Sequence, residues 1–459
     1  MAATQVYRPD PTILELGEAF YDPVRPAAFP TATPRFLNRR WADRVGLGDT
    51  DWEAHFARFE PLPGNLPEPL ALRYHGHQFR VYNPELGDGR GFLFAQLRDD
   101  KGRLLDLGTK GSGQTPWSRR GDGRLTLKGG VREVLATEML EALGVNTSKS
   151  FALFETGEQL VRGDEPSPTR SAVLTRLSHG HIRIGTFQRL AYFEDAGGIE
   201  ALARYCLDKL YGVTPPDDPA EVAALLMDKV CAATADLAAS YVVAGFVHGV
   251  LNSDNIAISG ESFDYGPWRF VPEWDEGFVA AYFDEVGLYA FGRQPEAIHW
   301  DVAQLGGCLA LLTDDGGALG ETLNAWPSLF EEALVAKMVA RLGLAPDPTR
   351  DRTLAGAMLK ALRSRTVGID RFFFDWRGGR LPGAPAYVDA AFDALRAELG
   401  DRQRALTHPY WSDAAPCSML IDEVEAIWAA IADGDDWSVF EAKIAAIRRM
   451  AEAMAADAP

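Results

Sequence analysis

Three oxygen-bearing side chains near the middle of the chain could work on a phosphate. The stretch "HGVLNSDNIAI" (248–258) sets Asp254 beside Asn255, and ten positions past Asp254 comes "DYG", Asp264-Tyr265-Gly266. Asn255 and Asp264 are hard oxygen donors on either side of a short strand pair, suited to Mg2+ with phosphate completing the shell. A helix, loop and hairpin with an incidental Asn and Asp is the competing explanation. Upstream, Lys110 ends an apolar strand and Glu133 lies near the start of the following helix. That pair is either a phosphate-holding lysine steered by an acid or a plain surface ion pair worth under about 1 kcal/mol. Arg176 and Arg183, in "RLSHGHIRIG", offer two-pronged contacts to phosphate oxygens if they are not simply solvated loop charges.

Glycines supply the next set. "LGDGRG" (86–91) precedes a strand, and its Gly87 and Gly89 let backbone approach a phosphate while Arg90 presents a charged fork. A plain hairpin turn explains the string more simply. The tetrapeptide GDGR recurs at 121–124. "GTKGSG" lacks the Gly-Lys-Ser/Thr order of a phosphate loop, and no G-x-G-x-x-G opens a helix. His75 and His77, and likewise His179 and His181, lack the further ligands that zinc requires.

Elements to position these groups are legible around them. "GFLFAQL", a polar turn and "LLDLGTK" read as a hairpin over 91–110. "VREVLATEMLEALG" (131–144) has apolar residues at helical spacing, with Gly144 as its C-terminal stop. "SFALFET" and "SAVLTRL" read as two more strands. Asp218 and Pro219 open a long apolar helix that runs to the Asp254 stretch. Strands, one helix, strands, then mostly helices predict an α+β fold: a small sheet lobe, a larger helical lobe and a cleft between them. Pro/Gly-rich breaks place an N-terminal arm at 1–70, a sheet lobe at 71–180, a helical lobe at 181–343 and a C-terminal helical region at 344–459.

The net charge of −19 over 459 residues argues against wide nucleic-acid contact and against attraction to anionic lipid. Four scattered cysteines read as free buried thiols. No signal-peptide pattern opens the chain and no apolar run approaches bilayer length, which predicts a cytoplasmic protein without membrane or nucleic-acid partners.

In order, these residues resemble the catalytic loop and metal-binding turn of a protein kinase, where H-R-D-L-x-x-x-N and D-F-G supply a base and two magnesium ligands. Aligning His248 with His and Asn255 with Asn leaves Val250 where the kinase base should be. The strings "HGHQF", "YNPELGDGRG", "TKGSGQTPWSRRGDGR", "VREVL", "RLSHGHIRIGTF" and "FDYGPW" further resemble the selenoprotein O family, a branch of the protein-kinase-like bilobal fold, from about Phe20 to about Ala310. That resemblance implies a protein adenylyltransferase, which binds ATP inverted relative to kinases and passes AMP to a protein hydroxyl.

By the same resemblance Gly87, Gly89, Arg90, Asp122 and Gly123 line the phosphates with Lys110, which Glu133 orients. Arg176 and Arg183 hold the phosphate tail. Asn255 and Asp264 coordinate Mg2+ or Mn2+, with Asp264 also touching the nucleotide. Asp254 takes the proton of a Ser, Thr or Tyr hydroxyl. Beside a metal it is expected to stay ionised, so that position rather than basicity is its asset. Ordinary phosphorylation, or ATP binding without catalysis, are the alternatives that Val250 leaves open. The chain departs from the family in carrying Arg80 where many members have Gly after "HQF", and it has no cysteine in its final segment "AEAMAADAP". The region past about 310 matches poorly, and its helices are expected to pack as a cap.

Overall fold

A computed structural model describes residues 6–163 and 165–459. The N-terminal stretch packs on the sheet lobe and adds two strands to its sheet. It forms β1 (Tyr21–Pro23), β2 (Thr33–Leu37), α1 (Arg39–Val45) and α2 (Trp52–Phe56). There follow β3 (Leu70–Leu72), a small hairpin of β4 (Gly76–Gln78) and β5 (Val81–Asn83), then β6 (Leu93–Arg98) and β7 (Leu104–Lys110). After β8 (Leu125–Thr126) and α3 (Leu127–Ala142) come the long β9 (Lys149–Leu160) and β10 (Thr169–Ser178). The main sheet runs β1-β3-β6-β7-β10-β9-β2, with β8 beside β10.

All these ladders are antiparallel. Yet β6 and β7 are buried along almost their whole length, polar residues included, because both sheet faces are covered. Phe94, Leu105, Leu107 and Phe151 pack against Trp41, Trp52 and Phe56 from α1 and α2. Leu93, Leu104, Leu153 and Leu174 pack against α3. The N-terminal stretch therefore supplies the cover for one whole face.

Helix α3 starts four residues before the apolar periodicity does. Thr126 caps it by accepting from the Gly129 amide at 3.1 Å, and Gly129 and Gly130 sit inside the first turns. Glycine costs a helix about 1 kcal/mol against alanine, so a sequence reading places this pair outside. In the fold a Cβ on Gly130 would come within 2.5 Å of Leu153, so the pair lets α3 lie close on β9. At the other end Gly144 takes φ +79°, the left-handed stop expected of it.

The helical lobe contains α4 (Ile184–Tyr192), α5 (Ala196–Tyr205) and the 26-residue α6 (Pro219–Ala244), capped by Asp218 and ended by left-handed Gly245. A two-stranded ribbon, β11 (Phe246–Val247) with β12 (Arg269–Phe270), brackets the Asp254 loop. Then come α7 (Gln294–Leu309), α8 (Gly317–Arg341), α9 (Asp351–Arg363), α10 (Ile369–Asp375) and α11 (Asp393–Leu399). The last two helices, α12 (Ile421–Gly434) and α13 (Ser438–Ala456), return to the sheet lobe. There Arg448 pairs with Glu138 of α3 at 2.9 Å, Lys128 with Glu425 at 2.7 Å, and Arg170 with Asp435 at 2.7 Å. The C-terminal region thus caps the α3 side of the sheet lobe, having first packed α9 on α8. Among the described residues no helix is long and apolar enough to cross a membrane.

Candidate active site

Strand β7 ends at Lys110, deep in the interlobe cleft, where the ammonium has almost no contact with water. Its Nζ lies 2.6 Å from Glu133 Oε2 and 2.8 Å from Asp264 Oδ1. Arg176, at the far end of β10, places Nη1 3.5 Å from Glu133 and 3.5 Å from the same Asp264 oxygen, while its buried Nε has no hydrogen-bond partner. Two cations thus share two carboxylates. Burial works against the charge of Asp264, but Lys110, Arg176 and Arg90 together hold its carboxyl well below the usual range. Asp264 has φ +61°, a conformation Asp tolerates better than most residues and one that clusters at functional sites.

The two GDGR loops meet. Thr115 and Ser118 hydroxyls, just before the second loop, donate to the carbonyls of Asp88 and Gly89 in the first. A Cβ on Gly87 would strike Trp117 at 2.4 Å, and one on Gly123 (φ +69°) would strike the Gly113 carbonyl at 2.2 Å. Glycine is therefore required at both positions for the loops to close on one another. Asp122 does not present a free carboxylate, since Arg162 grips it at 2.8 and 3.1 Å.

Arg183 is buried in the same wall. It donates to the Asp254 carbonyl at 3.0 Å, approaches Asp88 at 3.4 Å, and lies over the rings of Tyr74 and Phe263. Asp254 itself stands in a short 3-10 turn, Ser253–Asn255. The β4–β5 hairpin, the "HGHQF" string, clamps that turn. The amide of His77 donates to Ser253 Oγ at 2.7 Å, that of Phe79 to Asn252 Oδ1 at 3.0 Å, and that of His75 to the Gly185 carbonyl at 3.0 Å. Gly76 then lies directly against Asp254: an added Cβ would be 3.1 Å from Oδ1, an oxygen that is buried without a hydrogen bond. This enclosure pushes the Asp254 carboxyl up to about 6, with Arg183 pulling it down and Asp264 reinforcing the rise. The rise comes from lost hydration, which penalises the charged form.

Asn255 donates through Nδ2 to the Val250 carbonyl at 3.0 Å, which turns its oxygen the other way. The donor set of Asn255 and Asp264, one amide oxygen and one carboxylate, fits a hard divalent cation whose remaining ligands are phosphate and water. Among the described residues no group of three His, Cys, Asp or Glu is arranged to hold a metal without a nucleotide. Three of the four histidines singled out by spacing have their rings engaged in hydrogen bonds, His75 with Tyr82, His77 with Gln188 and His181 with Asp106, while the His179 Nε2 is buried without a partner.

A cavity of about 740 Å3 is lined by the eleven residues given catalytic, phosphate-binding or metal-binding roles from the sequence, Gly87, Gly89, Arg90, Lys110, Asp122, Gly123, Arg176, Arg183, Asp254, Asn255 and Asp264, while Glu133, which orients Lys110, stands behind it. Val250 lines it too. Four arginines that sequence reasoning passed over also face it, namely Arg119, Arg120, Arg124 and Arg162. The first three carried a signal in the basic string "SRRGDGR"; Arg162, on the β9–β10 connection, carried none. With eight Lys or Arg against four Asp around it, the cavity is cationic inside a protein of net charge −19, so it draws in a polyanion against the global field.

Comparison with known proteins agrees with this geometry. The family described as protein adenylyltransferase SelO matches residues 4–384. The chain is 42% identical over 466 residues to a protein nucleotidyltransferase YdiU of Gloeobacter violaceus, covering 96% of this chain and 95% of that protein. It is 40% identical over 464 residues to the YdiU nucleotidyltransferase of a Synechocystis species, covering 94% and 96% respectively. A YdiU nucleotidyltransferase of Rhodopseudomonas palustris is 39% identical over 457 residues, with 94% and 91% covered. Sharing most of its length with that family and aligning end to end with such relatives, the chain belongs to the protein adenylyltransferase SelO family.

Proposed function

We propose that this cavity binds ATP with Mg2+ and transfers AMP to a Ser, Thr or Tyr hydroxyl of a protein, releasing pyrophosphate. The observation that carries the reading is the placement of Asp254. Its unpartnered, buried carboxyl oxygen shares a cavity with a crowd of cations, while apolar Val250 occupies the wall where a kinase would keep its base.

In this reading Asp254 accepts the acceptor's proton, its buried and unpartnered carboxyl oxygen being placed to receive it. The hydroxyl oxygen forms a bond to the α-phosphorus as the bond to the bridging oxygen of the β-phosphate breaks. Lys110, Arg90, Arg176 and Arg183 meet the charge that accumulates on the departing pyrophosphate. Glu133 keeps Lys110 aimed, and backbone of the two GDGR loops approaches the phosphates where side chains would collide. Asn255 and Asp264 would hold Mg2+, which supplies charge neutralisation at the phosphates. The four free thiols suit a cytoplasmic setting: burial pushes Cys231 and Cys308 up to about 12 and Cys417 up to about 11, which makes them poorly reactive. The acidic exterior supports a protein acceptor over a nucleic acid.

ATP labelled at the α- or the γ-phosphate tests the reading. Label from the α-position on acceptor protein, with a mass increment of AMP, is the expected result. Protein label from the γ-position alone identifies phosphorylation, and nucleotide binding without label from either position identifies a binding module.

A further inference from the structure

An acceptor hydroxyl must reach Asp254 from outside, and a cluster of exposed apolar side chains adjoins that end of the cavity. Tyr282 is 87% exposed, Val286 79% and Phe283 46%. They occupy the connection between β12 and α7, which packs on the Asp254 loop: a Cβ on Gly249 would lie 3.1 Å from Ala280. The rings form a chain leading to the cavity lining. Tyr282 meets Phe283 at 5.2 Å, Phe283 meets Phe79 at 5.9 Å, and Phe79 meets Tyr289 at 5.1 Å. Asn252, which lines the cavity, accepts from both the Phe79 amide and the Tyr289 hydroxyl, at 3.0 and 2.7 Å. Gln78, next to Phe79, also lines the cavity.

This surface is held in place. Asp284, buried, accepts from the amides of Leu288 and Tyr289 at 2.8 Å each, which fixes the turn that displays Tyr282, Phe283 and Val286. Large apolar groups clustered on a fixed, exposed turn mark a contact surface more often than a solvated one. The charge beside them is acidic. Glu285 lies between Phe283 and Val286, exposed and without an ion pair among the described residues, whereas Arg80 and Arg293 beside the turn both pair with Glu296, at 3.0 and 3.2 Å, and Arg293 also donates to the Gly287 carbonyl at 3.1 Å.

We propose that Tyr282, Phe283 and Val286, with Phe79, form the docking surface for the acceptor protein, and that it takes a segment in which an apolar or aromatic side chain and a Lys or Arg accompany the acceptor hydroxyl. This rests on the AMP-transfer reading and adds the chemistry of the acceptor to it. The aromatic chain provides desolvated contact area, Glu285 selects the positive charge, and the Asn252 link registers the bound segment with Asp254. Cations that serve ATP lie inside the cavity, so a basic acceptor segment on the outer surface does not compete with them.

A positional peptide library with a fixed Ser, Thr or Tyr, presented with α-labelled ATP, tests the surface. Wild-type enzyme is expected to label peptides carrying Leu or Phe together with Lys or Arg in preference to Ala and Asp. The Tyr282→Ser/Phe283→Ser double variant is expected to lose at least tenfold in kcat/KM through the peptide KM, with ATP affinity by calorimetry and Tm unchanged. Glu285→Lys is expected to abolish or reverse the preference for Lys and Arg. Wild-type labelling that the double variant leaves intact overturns the docking surface alone. A wild-type enzyme that labels no peptide overturns the AMP-transfer reading and the surface with it. Light scattering that shows a wild-type dimer lost in the double variant, with peptide labelling intact, reassigns the patch to a second copy of the chain.

Discussion

Gly76 offers the sharpest test of how Asp254 is positioned. An alanine methyl there would lie 3.0 Å from the Asp254 Cβ, 3.1 Å from its Oδ1 and 3.2 Å from a Leu86 methyl. Comfortable contact between such atoms is about 3.5 Å or more, so the carboxylate must retreat by about 0.5 Å. The main chain cannot retreat with it, because the Asp254 carbonyl is tied to Arg183 and Ser253 is tied to the His77 amide. Rotation about Cα–Cβ carries Oδ1 away, while the contact with the Asp254 Cβ, which that rotation cannot relieve, pushes the β4–β5 hairpin back by a few tenths of an ångström. Catalytic groups tolerate displacements of about 0.5 Å, and a misplacement of about 1 Å can cost 100-fold, so Gly76→Ala is expected to lower kcat for AMP transfer about tenfold. ATP affinity should be preserved, since Lys110 and the GDGR loops are untouched. Release of pyrophosphate under saturating acceptor measures the first quantity and calorimetry the second. A double-variant cycle completes the test: in an Asp254→Ala background, Gly76→Ala should cost nothing further in rate. Wild-type kcat in the single variant, or an equal loss in both backgrounds, refutes the argument that Gly76 acts through the carboxylate.

Three other expectations follow from the charge arrangement. Glu133→Gln leaves Lys110 and Arg176 buried with half their negative partner set, and breaking a buried pair costs about 3–5 kcal/mol; a lower Tm together with a raised KM for ATP is expected, and an unchanged Tm would contradict it. Asp435 is held down to about 2 by its bond to Arg170, then by Trp437, so the stability it contributes is present above the ordinary carboxylate pKa near 3.8 and is lost as pH falls through 2. Between about pH 4 and pH 2 the α12–α13 cap should loosen, read by Trp437 fluorescence, and Asp435→Asn should remove that step. Chelation by EDTA should abolish transfer without shifting the Tm of the protein alone, because the two oxygen donors offer no metal-dependent staple to the fold; a Tm that falls on chelation would contradict the shared protein–phosphate coordination.

Local signals were strong where one residue type had one job. Lys110 at the end of an apolar strand and Glu133 on the next helix were readable as a pair, because strand and helix periodicities fix which way each side chain points. The hairpin of β6 and β7 and the cap at Asp218 were equally plain. What stayed hidden depended on partners distant in sequence. Nothing local tells that Gly130 must touch Leu153, so α3 was placed too late. The burial of Asp254 comes from Gly76, far upstream in a string recognisable by resemblance yet given no task by its own chemistry. Arg162 reaches the cavity only because β9 and β10 carry its loop there. The N-terminal stretch read as irregular because β1 and β2 are 3 and 5 residues long, too short for alternation to register, although their ladders to β3 and β9 are unambiguous in three dimensions.

Val250 now has a physical account. In the turn Ser253–Asn255, successive side chains leave the backbone in different directions, so adjacent residues can serve separate tasks. Asn255 is aimed by its bond to the Val250 carbonyl, which any residue at 250 could provide, leaving the Val250 side chain as an uncharged section of wall. A carboxylate at 250 would add a negative charge to a cavity where burial already raises the Asp254 carboxyl and the nearby Asp264 charge adds to that rise. Like charges in such a site cannot all remain ionised. Val250→Asp should therefore weaken ATP binding and leave γ-phosphate transfer undetected, since the acceptor would still be registered against Asp254. Protein label from γ-labelled ATP in that variant would mean that position 250, and not the geometry around Asp254, decides which phosphorus is attacked.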